Sequence, residues 1–332
     1  MNKTILENTV ARLTDSPKGI LAADESNPTC NKRFAAVGIP ETEENRRQYR
    51  ELLFTAPGLE QYISGVILYD ETIKQKTAEE KSFTAALESK GIDVGIKVDA
   101  GLGDIPESAG EKFTKGLEGL AARLDEYKLM CATFAKWRAV YSVGKGTPSE
   151  KCMEMNAEIF SEYVRLCQER DIVPIIEPEV LLDGDYSAEE CYQATAKNLD
   201  VVFSELKNSG AYLSGLILKS NMVLAGKDAP AKTPPEKVAE LTLKCLKAHV
   251  PAEVKGIVFL SGGQTEEKAS LHLNEMHKQG PLPWNLTFSY SRALQNSVLI
   301  YWAEHRDDIA GAQKLLLDAA KRNSLASVGK HK

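Results

Sequence analysis

The sequence predicts an α/β protein with a single (β/α)8 barrel, a TIM barrel, and two observations support that prediction. Eight short apolar segments rich in Ile, Leu and Val recur along the chain, and each ends in polar or charged residues. Continuous apolar runs of this length are typical of strands buried on both faces, as in a parallel sheet. Helical patterns separate many of the segments, and eight alternating units favour a closed barrel over an open sheet.

The predicted strands recur about every 34 residues, which fits a barrel of ~250 residues with modest insertions. They occupy residues 19–24, 64–70, 93–99, 130–138, 171–180, 213–220, 255–263 and 285–292. An open doubly wound sheet is the alternative, but it needs a glycine-rich turn after its first strand. The stretch GILAADESNPT, which begins at residue 19, contains no such turn.

Helices are expected at both ends of the chain. An amphipathic pattern predicts an N-terminal helix over about residues 3–16. The barrel follows over about residues 19–305, and a last helix over about 306–322 precedes a short tail. Within the barrel, Thr147, Ser187 and Thr233 each begin a capping-box pattern, so we expect a helix to start at each. Together these elements predict one domain over residues 1–332.

Composition and charge narrow the classes of function. The 332 residues carry 41 basic and 47 acidic side chains, a net charge of −6. That balance argues against a nucleic-acid-binding surface and against an acidic-membrane surface. No apolar stretch approaches the ~18 residues of a membrane helix, and the N-terminus lacks the features of a signal or transit peptide. We expect a cytoplasmic protein, or a plastid one if the sequence is a processed form.

Cysteine and histidine usage supports neither a disulfide framework nor a metal site. None of the six cysteines forms a CxxC pair, so reduced thiols are expected. His272 and His277 lie off the i, i+4 spacing of a helical metal pair. The sequence therefore offers no support for a metal site, although the residue types do not exclude one.

Charged residues gather where the predicted strands end, and the active site of such a barrel lies at the carboxyl ends of its strands. Any one of these residues could simply be a solvent-exposed charge at the rim of the barrel. That interpretation is poor for the whole set, because most of the strands end in this way. Ion pairs between facing strands stay an alternative for Asp70, Asp99 and Glu179. The strand-end residues are Asp24, Asp70, Lys97, Asp99, Lys136, Arg138, Glu177, Glu179, Lys219, Ser261 and Arg292.

Lys219 ends the apolar segment LSGLILK and is the strongest candidate nucleophile. Burial and a neighbouring cation, which Lys136 supplies, favour a neutral amine that can attack a carbonyl and form a Schiff base. Glu177 on the neighbouring strand can act as the acid that removes water, and Asp24 as the base for a hydroxyl proton. A charged lysine that reaches solvent and a simple Asp24–Lys136 ion pair are the alternatives.

Two groups of residues are predicted to bind anions. Ser261, Gly262 and Gly263 follow the seventh strand and Arg292 follows the eighth, where barrels commonly bind phosphate. A tight turn is the alternative for the glycines.

The second group lies across the barrel mouth. It combines the cations Lys32, Arg33 and Lys97 with the hydroxyls of Ser26 and Thr29. This group suggests a second anion at the far end of the substrate, although Lys32 and Arg33 fit solvated helix positions equally well.

In order and spacing, these residues resemble the motifs of class I fructose-bisphosphate aldolases over about residues 17–330. The motifs are GILAADES (19–26), KRFAAVGIPETEENRR (32–47), GIKVD (95–99), FAKWR (134–138), PIIEPE (174–179), LILKSNMV (216–223), FLSGGQ (259–264) and FSYSRALQ (288–295). The resemblance implies reversible, metal-free cleavage of fructose 1,6-bisphosphate to dihydroxyacetone phosphate and glyceraldehyde 3-phosphate through a lysine Schiff base. It implies a place in glycolysis, gluconeogenesis or the Calvin cycle, and a homotetramer.

The resemblance also implies roles for individual residues. Lys219 matches the Schiff-base lysine and Lys136 the second lysine. Glu177 matches the acid for dehydration, with Glu179 beside it, and Asp24 matches the base for carbon–carbon cleavage. The implied substrate-binding residues are Ser26, Thr29, Arg33, Lys97, Arg138, Ser261, Gly262, Gly263, Ser289 and Arg292.

The chain departs from the family pattern at a few positions. Ser220 stands where many relatives carry proline, and Ser291 stands where glycine or alanine is usual. The sequence ends in SVGKHK, whereas long-tailed relatives end in a tyrosine that assists proton transfer. We therefore expect slower proton exchange on bound dihydroxyacetone phosphate than in those relatives.

Other functions stay open at this point. They are a transaldolase-like Schiff-base enzyme, an aldolase that prefers sedoheptulose 1,7-bisphosphate, and a non-catalytic scaffold protein. Two anion-binding groups favour a bisphosphate over a monophosphate. A scaffold has no use for a buried lysine with its acid.

Overall fold

The computed structural model describes residues 1–15, 17–108 and 110–332, and a closed barrel of parallel strands forms its centre. The strands in these ranges are β1 (Gly19–Ala22), β2 (Ile63–Leu68), β3 (Asp93–Lys97), β4 (Leu102–Asp104), β5 (Lys112–Thr114), β6 (Ala132–Tyr141), β7 (Val173–Val180), β8 (Ile217–Ser220), β9 (Gly256–Phe259) and β10 (Asn285–Tyr290). Around the barrel the order is β1, β2, β3, β6, β7, β8, β9 and β10, and β10 pairs with β1. The predicted single-domain TIM barrel is confirmed.

The barrel strands are buried on both faces, which explains why their sequences are almost continuously apolar. Every residue of β1, β2, β7, β8 and β9 is buried. Each predicted apolar segment overlaps one of the eight barrel strands, although β2 begins one residue before its segment, at Ile63, and β6 runs three residues past its segment, to Tyr141.

A short antiparallel hairpin of β4 and β5 follows β3 and was not predicted. Each of its strands has only three residues, so neither shows a readable apolar pattern. Tertiary contacts hold the hairpin in place. The backbone N–H of Thr114 donates to Oδ1 of Asn156 at 3.1 Å, and the Thr114 hydroxyl donates to the backbone carbonyl of Arg138 at 2.8 Å.

Helices surround the barrel and close one of its ends. They are α1 (Lys3–Thr14), α2 (Asn27–Ala35), α3 (Glu43–Thr55), α4 (Asp70–Ile73), α5 (Phe83–Glu88), α6 (Leu120–Leu129), α7 (Glu150–Gln168), α8 (Ala188–Asn208), α9 (Pro235–His249), α10 (Glu266–Lys278), α11 (Arg292–Glu304) and α12 (Ile309–Ala326). The N-terminal helix ends at Thr14 rather than at residue 16, and Ser16 lies outside the described residues. The last helix begins at Ile309 rather than 306, because Asp308 caps it by accepting from the Gly311 N–H.

The predicted helix starts were right at one site and wrong at two. Ser187 forms the complete capping box of α8. The N-cap of α7 is Ser149, not Thr147. The N-cap of α9 is Pro234, not Thr233, and the Thr233 hydroxyl accepts instead from the Ala225 N–H at 3.0 Å. The helix thus begins two residues later in α7, where the Ser149 hydroxyl accepts from the Cys152 N–H, and one residue later in α9.

Helix α1 fills the amino end of the barrel. Leu6, Val10 and Leu13 on its buried face pack in one apolar cluster with the inward-facing strand residues, among them Phe134. Gly95 leaves room for the Phe134 ring, which a Cβ there would approach to 2.2 Å. Because this end is filled by apolar side chains, only the carboxyl end of the barrel is open for a site.

Candidate active site

The inner face of the barrel changes from apolar to charged along β7 and β8. Ile175 in β7 and Ile217 in β8 belong to the apolar inner cluster. Glu177 and Lys219 stand two residues further along these strands. Since residues two apart in a strand share a face, the two charged groups line the interior directly beyond the apolar layer. They form the floor of a cleft of about 210 Å³ at the carboxyl ends of the strands.

This cleft brings together nearly all of the predicted site residues. Of the residues that the family resemblance implied, two do not line it: Arg33, which lies on α2, and Gly263, which lies beside Arg292. Asp70, Asp99 and the exposed Lys32 are also outside its lining. Those that line it are Asp24, Ser26, Thr29, Lys97, Lys136, Arg138, Glu177, Glu179, Lys219, Ser261, Gly262, Ser289 and Arg292.

Four buried side chains form a continuous chain of ion pairs across the cleft floor. Lys219 Nζ lies 3.1 Å from Oε1 of Glu177, and Lys136 Nζ lies 3.2 Å from Oε2 of the same carboxylate. Lys136 Nζ also lies 2.6 Å from Oδ2 of Asp24. Carboxylates and ammonium groups therefore alternate at hydrogen-bond distance. The Asp24–Lys136 ion pair that the sequence left as an alternative does form, and it is part of this larger chain.

The ion pairs shift the pKa values of the groups that form them. Burial alone would raise the pKa of Asp24, but Lys136 and Lys219 lower it to about 2. Burial alone would lower the pKa of Lys136, but Asp24 and Glu177 raise it above the usual lysine range. Glu177 is buried too, and the same two ammonium groups lower its pKa. Both carboxylates are therefore ionised in the unliganded protein at neutral pH.

Three other strand-end carboxylates form ion pairs of their own. The Arg138 Nε donates to Oε2 of Glu179 at 2.5 Å. Lys97 Nζ pairs with Asp99 at 2.5 Å and also donates to its backbone carbonyl. Asp70 pairs with Lys74 at 2.8 Å and does not line the cleft. The predicted alternative, ion pairs between facing strands, was correct for Glu179, whose partner Arg138 lies on β6. It was wrong for Asp99, which pairs with Lys97 two residues before it, and for Asp70, which pairs with Lys74 four residues after it, because each carboxylate finds a cation nearby in its own segment.

One end of the cleft carries the Ser261–Gly263 turn and Arg292. Gly262 and Gly263 have φ values of +54° and +85°, a region that favours glycine. A Cβ on Gly263 would lie 3.5 Å from the Arg292 guanidinium, so the turn and Arg292 are adjacent. Among the described residues Arg292 forms no ion pair, which leaves its donors open to an anion.

The helix N-terminus at this end belongs to α11 and not to α10. Thr265 caps α10 by accepting from the Lys268 N–H, so that helix start is already satisfied. Ser291 is the N-cap of α11, yet its hydroxyl accepts from no backbone N–H of the helix and accepts only from the side-chain amide of Gln295 at 3.3 Å. Because the first N–H groups of a helix have no partner within it, those of α11 are open to an anion.

The other end of the cleft is arranged in a similar way. Ser26 is the N-cap of α2 and also makes no side-chain cap. Its hydroxyl lies 3.0 Å from that of Thr29. Lys97 supplies the nearby positive charge. Hydroxyls, an ammonium group and an uncapped helix start suit an anion at this end as well.

Glu25 lines the cleft and was missed by the sequence analysis. It accepts hydrogen bonds from Arg33, from Nη2 of Arg50 at 2.8 Å and from the Ser291 hydroxyl at 2.8 Å. Burial alone would raise the pKa of Glu25, but Arg50 and Arg33 lower it. In the sequence, only its position directly after Asp24 pointed to Glu25. A search for charged residues on one strand face misses it, because neighbouring residues of a strand point to opposite faces.

Comparison with known proteins agrees with this geometry. The family model for class I fructose-bisphosphate aldolase matches residues 5–332. The chain belongs to this family. Class I fructose-bisphosphate aldolases are lyases, and the protein is therefore an enzyme of that class.

Relatives match over nearly the whole chain. A probable fructose-bisphosphate aldolase class 1 of Xanthomonas campestris pv. campestris is 49% identical over 328 residues, 98% of each chain. The cytosolic fructose-bisphosphate aldolase 5 of Arabidopsis thaliana is 48% identical over 95% of this chain and 88% of its own length. A solved structure of the Plasmodium falciparum aldolase, in complex with TRAP and a small-molecule inhibitor, matches with a TM-score of 0.98 at 46% identity. That match covers 99% of this chain and 96% of the other.

Two further observations concern metals and membranes. Within residues 1–15, 17–108 and 110–332, no group of three or more His, Cys, Asp or Glu side chains is placed to hold a metal ion. No helix in the same ranges is both long enough and apolar enough to cross a membrane.

Proposed function

We propose that the protein cleaves fructose 1,6-bisphosphate reversibly into dihydroxyacetone phosphate and glyceraldehyde 3-phosphate through a Schiff base on Lys219. The observation that carries this proposal is the buried chain of Asp24, Lys136, Glu177 and Lys219, which lies between two anion-binding ends. The reaction needs a nucleophile, an acid and a base, and the chain supplies each at hydrogen-bond distance from its neighbour.

The first step is attack of the Lys219 amine on the substrate ketone. Glu177, at 3.1 Å, accepts the ammonium proton and so releases the neutral amine. The C–N bond forms as the C=O π bond breaks, and a proton of the attacking nitrogen moves to the ketone oxygen, which becomes the hydroxyl of a carbinolamine. Protonated Glu177 then donates to that hydroxyl, which leaves as water, and an iminium remains. The same carboxylate thus serves first as base and then as acid.

The second step breaks the bond between C3 and C4. Asp24 is a carboxylate at neutral pH and accepts the proton of the C4 hydroxyl. The electrons of the breaking bond move into the iminium, which becomes an enamine, and the aldehyde half departs. Lys136 pairs with both Asp24 and Glu177, and its ammonium stabilises the negative charge that develops on the C4 oxygen as the proton moves to Asp24. Protonation of the enamine at C3 and hydrolysis then release dihydroxyacetone phosphate.

The two ends of the cleft bind the two phosphates. Arg292, the Ser261–Gly263 turn and Ser289 serve the ketone-side phosphate. The Ser289 hydroxyl is buried and has no hydrogen-bond partner among the described residues, so it is free to donate to a ligand. Ser26, Thr29 and Lys97 serve the other phosphate, joined by Arg33 of α2. Arg138 and Glu179 also line the cleft.

The proposal also covers the location, the pathway, the cofactor requirement and the oligomeric state of the protein. A cytoplasmic location is supported by the relative named as cytosolic. The reaction fits glycolysis, gluconeogenesis or the Calvin cycle, and it requires no cofactor beyond the covalent Schiff base. A homotetramer is inferred from the family alone.

Borohydride trapping with dihydroxyacetone phosphate tests the mechanism. Mass spectrometry of the reduced protein is expected to place one adduct on Lys219. Lys219→Met abolishes both the adduct and the cleavage, whereas Lys227→Met, at an exposed position, retains them. A folded parent protein that forms no adduct would overturn the mechanism. Comparing fructose and sedoheptulose bisphosphates in the same assay separates the two substrate preferences.

A further inference from the structure

Glu25 connects the two anion-binding ends of the cleft. One of its partners, Arg33, lies on α2 one helical turn after Thr29, on the same helix face. Another partner, Ser291, immediately precedes Arg292 at the opposite end. One buried carboxylate, 9% exposed, therefore receives donors from both phosphate-binding groups.

The hydroxyl of Ser291 has an unusual role for an N-cap serine. An N-cap serine ordinarily accepts a hydrogen bond from a backbone N–H in the first turn. Here the hydroxyl makes no such bond and donates instead to Oε1 of Glu25 at 2.8 Å. The bond ties the start of α11, and with it Arg292, to the carboxylate that holds Arg33.

One nitrogen of the Arg33 guanidinium is available as a hydrogen-bond donor to a ligand. Its Nη1 pairs with Glu25, whereas its Nη2 is buried and has no hydrogen-bond partner among the described residues. Glu25 also has a second cation, Arg50, whose side chain is only 2% exposed. The carboxylate therefore stays paired when Arg33 turns toward a ligand.

We propose that the Glu25–Ser291 hydrogen bond couples the two phosphate-binding ends, so that occupation of one end strengthens binding at the other. This inference rests on the proposed cleavage of a sugar bisphosphate. A phosphate at the Ser26–Thr29 end attracts Arg33 and weakens its ion pair with Glu25. Glu25 then bonds more strongly to its remaining donors, Arg50 and Ser291. The stronger hydrogen bond restricts the position of Ser291. Arg292 and the uncapped N–H groups of α11 are thereby held in place to bind the second phosphate.

A double-mutant cycle tests the coupling. Arg33→Ala is measured in the parent and in Ser291→Ala, with kcat/KM for fructose 1,6-bisphosphate as the readout. We expect the loss caused by Arg33→Ala to be about fivefold smaller without the Ser291 hydroxyl, at the low end of measured coupling between sites. Fructose 1-phosphate, which lacks the far phosphate, is expected to show no such difference.

The chain offers a matched control in Ser297, a serine of the same helix whose hydroxyl bonds to Glu266 at 3.3 Å, away from the cleft. A cycle of Arg33→Ala with Ser297→Ala is expected to be additive. Ser291→Thr, which keeps the hydroxyl, is expected to restore the coupling, and Ser291→Gly to lack it. If Ser291→Ala does not fold, Ser291→Gly takes its place in the cycle.

The outcomes separate this inference from the proposed function. Additive Arg33 and Ser291 effects in an active parent would overturn the coupling and leave the aldolase activity standing. A parent that does not cleave the bisphosphate would overturn the proposed function. In that case the same cycle is run on calorimetric binding of hexitol 1,6-bisphosphate, which needs no bond cleavage, and additivity there would overturn the coupling as well.

Discussion

The ammonium nitrogen of Lys219 lies 3.1 Å from Oε1 of Glu177, and Lys136 lies 3.2 Å from the other oxygen of the same carboxylate. One buried carboxylate therefore serves two buried ammonium groups. The Glu177 carboxylate can accept a proton from Lys219 while Lys136 keeps its positive charge and balances the remaining negative charge of the site. The first two predictions follow from this sharing.

Glu177→Gln is expected to slow Schiff-base formation about a hundredfold or more, because an amide can neither accept the Lys219 proton nor return it to the leaving hydroxyl. The measurement is the rate at which the borohydride-trapped adduct with dihydroxyacetone phosphate accumulates. Glu179→Gln is the matched control on the same strand face. It loses only the ion pair to Arg138 and should slow trapping far less. Equal rates for the two variants would contradict the assigned role of Glu177.

Lys136→Met is expected to destabilise the protein by about 3–5 kcal/mol, because it leaves Asp24 and Glu177 buried with one fewer cation. Urea unfolding at pH 7 measures the change. Adding Asp24→Asn to Lys136→Met removes one of the two buried carboxylate charges that lost their cation, and the double variant should recover part of the lost free energy of unfolding. A single variant as stable as the parent would contradict the assigned ion-pair chain.

His272 is expected to make the protein less stable as the pH falls below about 6.5. Burial, with a smaller effect from Lys268, lowers its pKa to about 4 in the folded protein. The unfolded chain then binds the proton more readily than the folded one. Stability is therefore full above the unfolded pKa of about 6.5 and decreases toward pH 4. By pH 4.5 the decrease reaches about 2–3 kcal/mol.

Comparing urea unfolding at pH 7 and pH 4.5 in the parent and in His272→Gln isolates this contribution. The variant should lose less stability between the two pH values than the parent does. His305→Gln, at an exposed position, is the control and should behave as the parent does. Identical pH dependence in the parent and His272→Gln would refute the assignment. The neutral imidazole also bonds to Gln264, next to the Ser261–Gly263 turn.

Gly262→Ala is expected to raise the KM for the bisphosphate about tenfold. The φ of +54° strains any residue with a Cβ, at roughly 1–2 kcal/mol, and the new Cβ would lie 2.9 Å from the Leu260 side chain. Relief of that contact displaces the turn that faces the phosphate. The control is Gly280→Ala. Gly280 has a φ of +99°, and a Cβ added there would have no atom within 4 Å. It should show the backbone destabilisation without the change in KM.

The prediction from sequence succeeded where a local pattern has one structural solution. Apolar runs such as the one that ends at Lys219 indicated the barrel, and the alternation of faces placed Glu177 and Lys219 on its inner side. The prediction failed where a residue acts through distant partners. Glu25 gains its role only because Arg50 and Ser291, far apart in the chain, converge on it.

The sequence by itself determined the barrel, the charged layer at its open end and the residue types of the reaction, because strand periodicity ties each of these to neighbouring positions. The tertiary structure alone decided which charges pair. Arg138 pairs with Glu179 and Arg50 pairs with Glu25, and α11 rather than α10 presents a start without a side-chain cap to the cleft. Electrostatic pairing falls off with distance in space, and distance along the chain does not reveal it.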